Sequence, residues 1–149
     1  MSMKKLLLLS TLFTFNLQLL TFNCRAQTAY IPNTNSNNVY VINVETNTVT
    51  DSITVGNVPY GVSVSPDGSK VYVANAGDST VSVINTATNT VMATIEVGAY
   101  PLGISVSSDG LKVYVANNFN NTVSVINTAT NTVTATITGF IGTYGVSAS

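Results

Sequence analysis

Histidine and tryptophan are absent from this 149-residue chain, and charged side chains make up only 7% of it. Without histidine there is no imidazole to act as general base, nitrogen metal ligand or axial haem ligand. The single cysteine, Cys24, lies near the N-terminus, so no disulfide framework can form. Five basic residues among 149 supply no positive stripe to neutralise phosphates, which excludes nucleic acid as an expected partner. No catalytic constellation, metal site or cofactor is expected.

Valine, threonine, asparagine and serine dominate instead. Val and Thr suit a pleated, half-buried surface, whereas Asn and Ser favour turns. The composition is that of an all-β chain with many short connections. The first 26 residues stand apart from it. Lys4 and Lys5 give a positive start, Leu6 to Phe22 is mainly apolar, and Cys24-Arg25-Ala26 sets small residues before a cut after Ala26. That layout predicts a signal peptide over 1–26 and an exported protein, placed in the periplasm, at the cell surface or outside the cell. After cleavage, Lys70 and Lys112 face six acids, a net charge of −4.

The remainder repeats. TVSVINTATNTV runs from Thr80 to Val91 and recurs unchanged from Thr122 to Val133, with a looser copy at Asn38 to Val49, each step being 42 residues. KVYVAN at 70–75 and 112–117 keeps the same register, as do PYGVSVS at 59–65 and PLGISVS at 101–107. Within one unit, Gly61–Ser65, Lys70–Ala74, Thr80–Asn85 and Val91–Val97 each alternate apolar and polar residues between turn signals. Pro66-Asp67-Gly68 is one such turn: Pro presets φ and Gly accepts a positive one. Four antiparallel strands per unit of this length predict β-propeller blades rather than a stacked solenoid, which needs no hairpin turns.

The pieces YVAN (72–75 and 114–117), PYGVSVSPDG (59–68) and VSVINTATNTV (81–91 and 123–133) resemble the YVTN-type β-propeller repeat. Alanine stands where that family has the threonine of YVTN, and Ser108 replaces the proline of the Pro-Asp-Gly turn. The resemblance runs from about Ala29 to the end. It implies a blade of the kind found in cell-surface and surface-layer proteins, in seven-bladed assemblies linked to protein–protein interaction.

The expected organisation is a partial propeller over 27–149. It has blade strands at 28–55, blades at 60–97 and 102–139, and an orphan first strand at 144–149. About three blades make an incomplete ring, so a fragment of a longer propeller is one expectation. Self-association through open sheet edges is the other. The acids of the Asp67-Gly68 and Asp109-Gly110 pairs read as turn residues. Candidate contacts lie in the loops after the second strand of each unit: Asn75 and Asp78, then Asn117, Phe119 and Asn120. An aromatic flanked by amides suits a binding surface, because the ring supplies contact area and the amides adaptable hydrogen bonds. The functional expectation is a noncatalytic binding or scaffold module for a protein or surface-glycan ligand. The alternative is part of a lactonase- or lyase-like propeller enzyme whose catalytic loops lie in further blades.

Overall fold

The alternating segments become eleven strands in a computed structural model that describes residues 27–149. The expected signal peptide, residues 1–26, lies outside the described residues. The first sheet holds β1 (Thr28–Asn33), β2 (Asn38–Asn43) and β3 (Thr48–Thr54). The second holds β4 (Pro59–Val64), β5 (Lys70–Asn75), β6 (Thr80–Asn85) and β7 (Thr90–Glu96). The third holds β8 (Pro101–Val106), β9 (Lys112–Asn117), β10 (Thr122–Asn127) and β11 (Thr132–Ile137). Each sheet is an antiparallel meander, and no helix occurs among the described residues. The protein is all-β, with its sheets arranged as blades of an incomplete propeller.

The turns explain the repeated polar residues. Asn47, Asn89 and Asn131 all take φ 53°, and Gly68 and Gly110 take 71° and 73°. These are left-handed positions that Asn tolerates and Gly occupies freely. Asn43, Asn85 and Asn127 each accept a hydrogen bond from the backbone N–H two residues on. The threonine hydroxyls of 46 and 48, 88 and 90, and 130 and 132 then pair at 2.7–2.8 Å. Every outer hairpin carries one bulge, with Thr50, Met92 or Thr134 as the extra residue. A bulge raises the local twist, which blades need.

Burial follows the two faces of each strand. In β5, Val71 and Val73 pack with Val39, Val41 and Ile53 of the first sheet. Tyr72 and Ala74 turn the other way, joining Val113, Val115 and Ile126 of the third. The middle sheet is therefore apolar on both sides, and its central strands β5 and β6 are buried almost throughout. Adjacent sheets are closest at their inner strands: β4 lies against β8, whereas β7 touches β3 and β11 only slightly. The approach at the axis is close enough to require glycine. A Cβ at Gly61 would collide with the Leu102 carbonyl oxygen, and one at Gly103 would lie 2.7 Å from Gly145 Cα. Tight inner strands and splayed outer ones make a wedge, which opens a groove between neighbouring sheets at the outside.

Residues 144–149 do not form the expected strand. They run beside β8, where the Ala148 N–H donates to Ser105 Oγ at 3.0 Å. A first strand gains its ladder from the second strand of its own sheet, as β4 does from β5. Among the described residues no second strand pairs with 144–149, and the contacts of the segment are lateral ones with the neighbouring blade.

Candidate functional site

Two sets of loops share one face. The β5–β6 and β9–β10 turns meet the connections that carry the chain from one sheet to the next, and backbone hydrogen bonds zip them together. Ala76 and Gly77 donate to the carbonyls of Val58 and Asn57 at 2.9 and 3.0 Å. One repeat later, Asn118 and Phe119 donate to Tyr100 and Ala99 at 3.0 and 3.2 Å. The connections bend through left-handed residues: Val58 at φ 53°, Tyr100 at 57° and Gly142 at 65°. Glycine adopts this freely, but a β-branched or aromatic residue there stores strain of order 1–3 kcal/mol.

Asn75 and Asn117 are fully buried, which corrects their reading as contact residues. Each amide nitrogen donates to two hydroxyls of the next strand, Asn75 to Thr80 and Ser82 and Asn117 to Thr122 and Ser124, at 2.9–3.0 Å. Their Oδ1 atoms have no partner. The connecting loop lies directly on top, where a Cβ at Gly56 or Gly98 would fall 2.7 or 2.6 Å from the amide carbon beneath. These asparagines form the floor of the face and are closed to a ligand.

Asp78 is exposed but occupied. Its two oxygens accept from the backbone N–H and side-chain amide of Asn57, both at 2.6 Å, fastening the connecting loop to the turn. Asn120 takes the same place one repeat on, where its Oδ1 accepts from the Ala99 N–H. Its amide nitrogen remains as a donor.

Phe119 is 70% exposed. One side of its ring stacks on Tyr100 with centroids 4.3 Å apart and planes 7° from parallel. The other side is open. Tyr100 escaped the sequence reasoning, although a signal existed: it fills a repeat position held elsewhere by Val58 and Gly142, so its ring serves no repeated packing role.

Outside this zipper lie the two grooves opened by the wedge. One, of about 480 Å³, runs between the second and third sheets and is lined by Glu96, Gly98, Asn120, Thr122, Ser124 and Thr136, with Val97 and Val133. Its counterpart between the first and second sheets, about 370 Å³, has Thr54 for Glu96 and Asp78 for Asn120.

The opposite face is built of turns. Asp67 accepts from Ser65 Oγ and from the N–H and Oγ of Ser69. Those bonds hold its carboxyl down to about 2. Asp109 is lowered for the same reason, first by Ser107 and then by the Leu111 N–H. Both acids act as the turn residues their Asp-Gly pairs announce. A cavity of about 230 Å³ between these turns holds Lys70, whose Nζ donates to the Thr128 carbonyl at 2.9 Å, and the unpartnered hydroxyl of buried Tyr72. Among the described residues no three His, Cys, Asp or Glu side chains gather as a metal site would require.

Known structures share this architecture. The chain is similar to Kuenenia stuttgartiensis hydrazine synthase, at 31% identity and a TM-score of 0.77, over 79% of this chain and 34% of that one. It is similar in fold to the dihydro-heme d1 dehydrogenase NirN in complex with DHE, at 19% identity and a TM-score of 0.66, over 75% and 24% of the two chains. Apo AztD from Citrobacter koseri matches at 14% identity and a TM-score of 0.64, over 74% and 32%. The chain thus spans between 24% and 34% of the length of these proteins. No curated protein matches it. Residues 68–149, more than half of the sequence, match the YNCE-like beta-propeller family, and the chain belongs to that family.

Proposed function

We propose that this protein is an exported, noncatalytic binding module, in which stacked blades form a rigid platform and the loop face contacts a protein or surface-glycan ligand. The observation that carries this reading is the exposed stack of Phe119 on Tyr100, held on strained backbone. An open aromatic ring beside free amide donors is what recognition surfaces present, and strain of this kind gathers at functional sites. Two features support export to a surface: the signal-like leader and the resemblance to YVTN repeats of surface-layer proteins. Three of the six acids of the described residues support a noncatalytic role, since Asp67, Asp78 and Asp109 are engaged in holding turns and loops.

A photo-crosslinking amino acid at position 119 tests the reading in cell envelopes. Capture from position 119, with none from the exposed Leu111 on the opposite face, is the expected result. Capture from 111 alone would contradict it. Mass spectrometry of the exported protein should find Gln27 at its N-terminus.

The likeness to hydrazine synthase favours a second reading, in which this chain is the blade portion of a propeller enzyme. Histidine- or glutamate-bearing loops in further blades, found by sequencing outward from both ends of the gene, would favour it.

A further inference from the structure

We infer that a second copy of this chain docks head-to-tail on the stack. Residues 144–149 of each copy serve as the inner strand of the other's first sheet, and two copies close one ring.

The inner strand of a sheet makes two kinds of contact. β8 pairs with β9 of its own sheet and also lies beside β4, where the Val106 N–H donates to Ser63 Oγ at 3.2 Å. Residues 144–149 repeat the second contact one sheet on, through the Ala148 N–H and Ser105 Oγ at 3.0 Å. They are seated as an inner strand but pair with no second strand among the described residues. β1 is the converse. It repeats the sequence of β5 and β9, yet β2 is its only strand neighbour among the described residues.

The repeat also sets the register. Val62 pairs with Val73 and Ile104 with Val115, so 42 residues on Val146 falls opposite Ile31. Pro32 has no N–H to give such a ladder. Its repeat counterparts, Ala74 and Ala116, stand opposite the interruptions between Pro59 and Val62 and between Pro101 and Ile104, so little pairing is lost there.

The side chains at the two ends are the separated halves of a seam. Ile53 and Ile95 each pack on the sheet that follows and are 5% exposed, whereas Ile137, next in the series, is 44% exposed. Val73 and Val115 each pack on the sheet that precedes and are fully buried, whereas Ile31, their counterpart in the first sheet, is 47% exposed. Bringing the third sheet of one copy against the first sheet of another covers both isoleucines in the way the internal seams do. A polar tie comes with it. Lys70 Nζ crosses the internal seam to the Thr128 carbonyl, and Lys112 is the residue placed to cross the new seam to the carbonyl at position 44.

A contact between unlike faces closes into a ring or runs on as a fibre, according to the rotation it imposes. Two copies supply six sheets, within the roughly four to eight of closed propellers. Closure also removes the strand edges that would otherwise recruit other chains.

Disulfide trapping on the exported chain tests the register, because residues 27–149 contain no cysteine. Directly opposed residues of antiparallel strands have Cα atoms about 4.5–5.5 Å apart, inside the roughly 4.4–6.8 Å that a disulfide spans. Oxidising a mixture of Ile31→Cys and Val146→Cys chains should therefore join them, whereas Leu111→Cys in place of Val146→Cys should give no link. Light scattering should find twice the mass of one chain, with no growth at higher concentration. Ile31→Lys changes a side chain already exposed in the single chain, so it should leave the fold intact and weaken the dimer about tenfold or more. A single-chain mass, a mass that climbs with concentration, or a folded mixture without the 31–146 link would each overturn the inference.

Discussion

The two seams of this molecule are built from one repeated pattern and carry different residues at the rim. Between the first and second sheets, and again between the second and third, the same valines and isoleucines pack. In each, the same buried asparagine holds two hydroxyls. At the loop face they part. The first seam closes on itself, with Asp78 gripping Asn57. The second leaves Phe119 open and Asn120 half-engaged. Repetition here makes the frame, and departures from repetition make the candidate site.

If the seams share one frame, equivalent damage should cost them equally. Ile84→Ala and Ile126→Ala truncate fully buried side chains at the same repeat position, one in each seam. Each should destabilise the protein by about 2–5 kcal/mol in urea unfolding. A clear difference between them would break the equivalence. Gly61→Ala forces β4 and β8 apart against the Leu102 carbonyl oxygen, and Gly103→Ala presses β8 against the backbone of the 144–149 segment. A loss of about 1–3 kcal/mol is expected from each, read by thermal unfolding.

Strain gives a finer comparison. Val58→Gly relieves a left-handed β-branched residue that makes no stack, and should stabilise by about 1 kcal/mol after the entropy cost of glycine. Tyr100→Gly relieves the same strain but gives up the ring contact with Phe119, worth about 0.5–1.5 kcal/mol. The second change should therefore gain less than the first. Equal gains would mean that the stack contributes nothing to stability.

The smallest effect belongs to the turns that both seams share. Asp67 has its carboxyl lowered from 3.8 to about 2 by the serine hydroxyls and the Ser69 N–H. A carboxylate depressed in the folded state stabilises above its ordinary value, and that share is lost as pH falls through the folded one. The melting temperature should accordingly dip between pH 3.8 and about 2, and the dip should shrink in Asp67→Asn.

Sequence alone carried the frame. Alternation, turn residues and the 42-residue step together specify antiparallel four-stranded sheets, because each feature recurs and each has one physical meaning. The candidate site was less legible. Asn75 and Asn117 read as contacts because polar residues near loops suggest exposure, yet their recurrence already pointed to a structural task. Tyr100 was overlooked because its partner lies in a different loop, and only the folded zipper brings the rings together. Residues 144–149 share the sequence pattern of β4 and β8, but a strand also needs a neighbour to bond with. Propensity cannot supply one.

Moving the rim from one seam to the other tests the central claim most directly. Asn57→Ala, Val58→Tyr and Asp78→Asn, with the photo-crosslinking amino acid at position 77, would give the first seam the rim of the second. In cell envelopes position 77 should then capture the same partner that position 119 captures in the unaltered protein. No capture from position 77, with the fold intact, would show that the rim residues do not make the site.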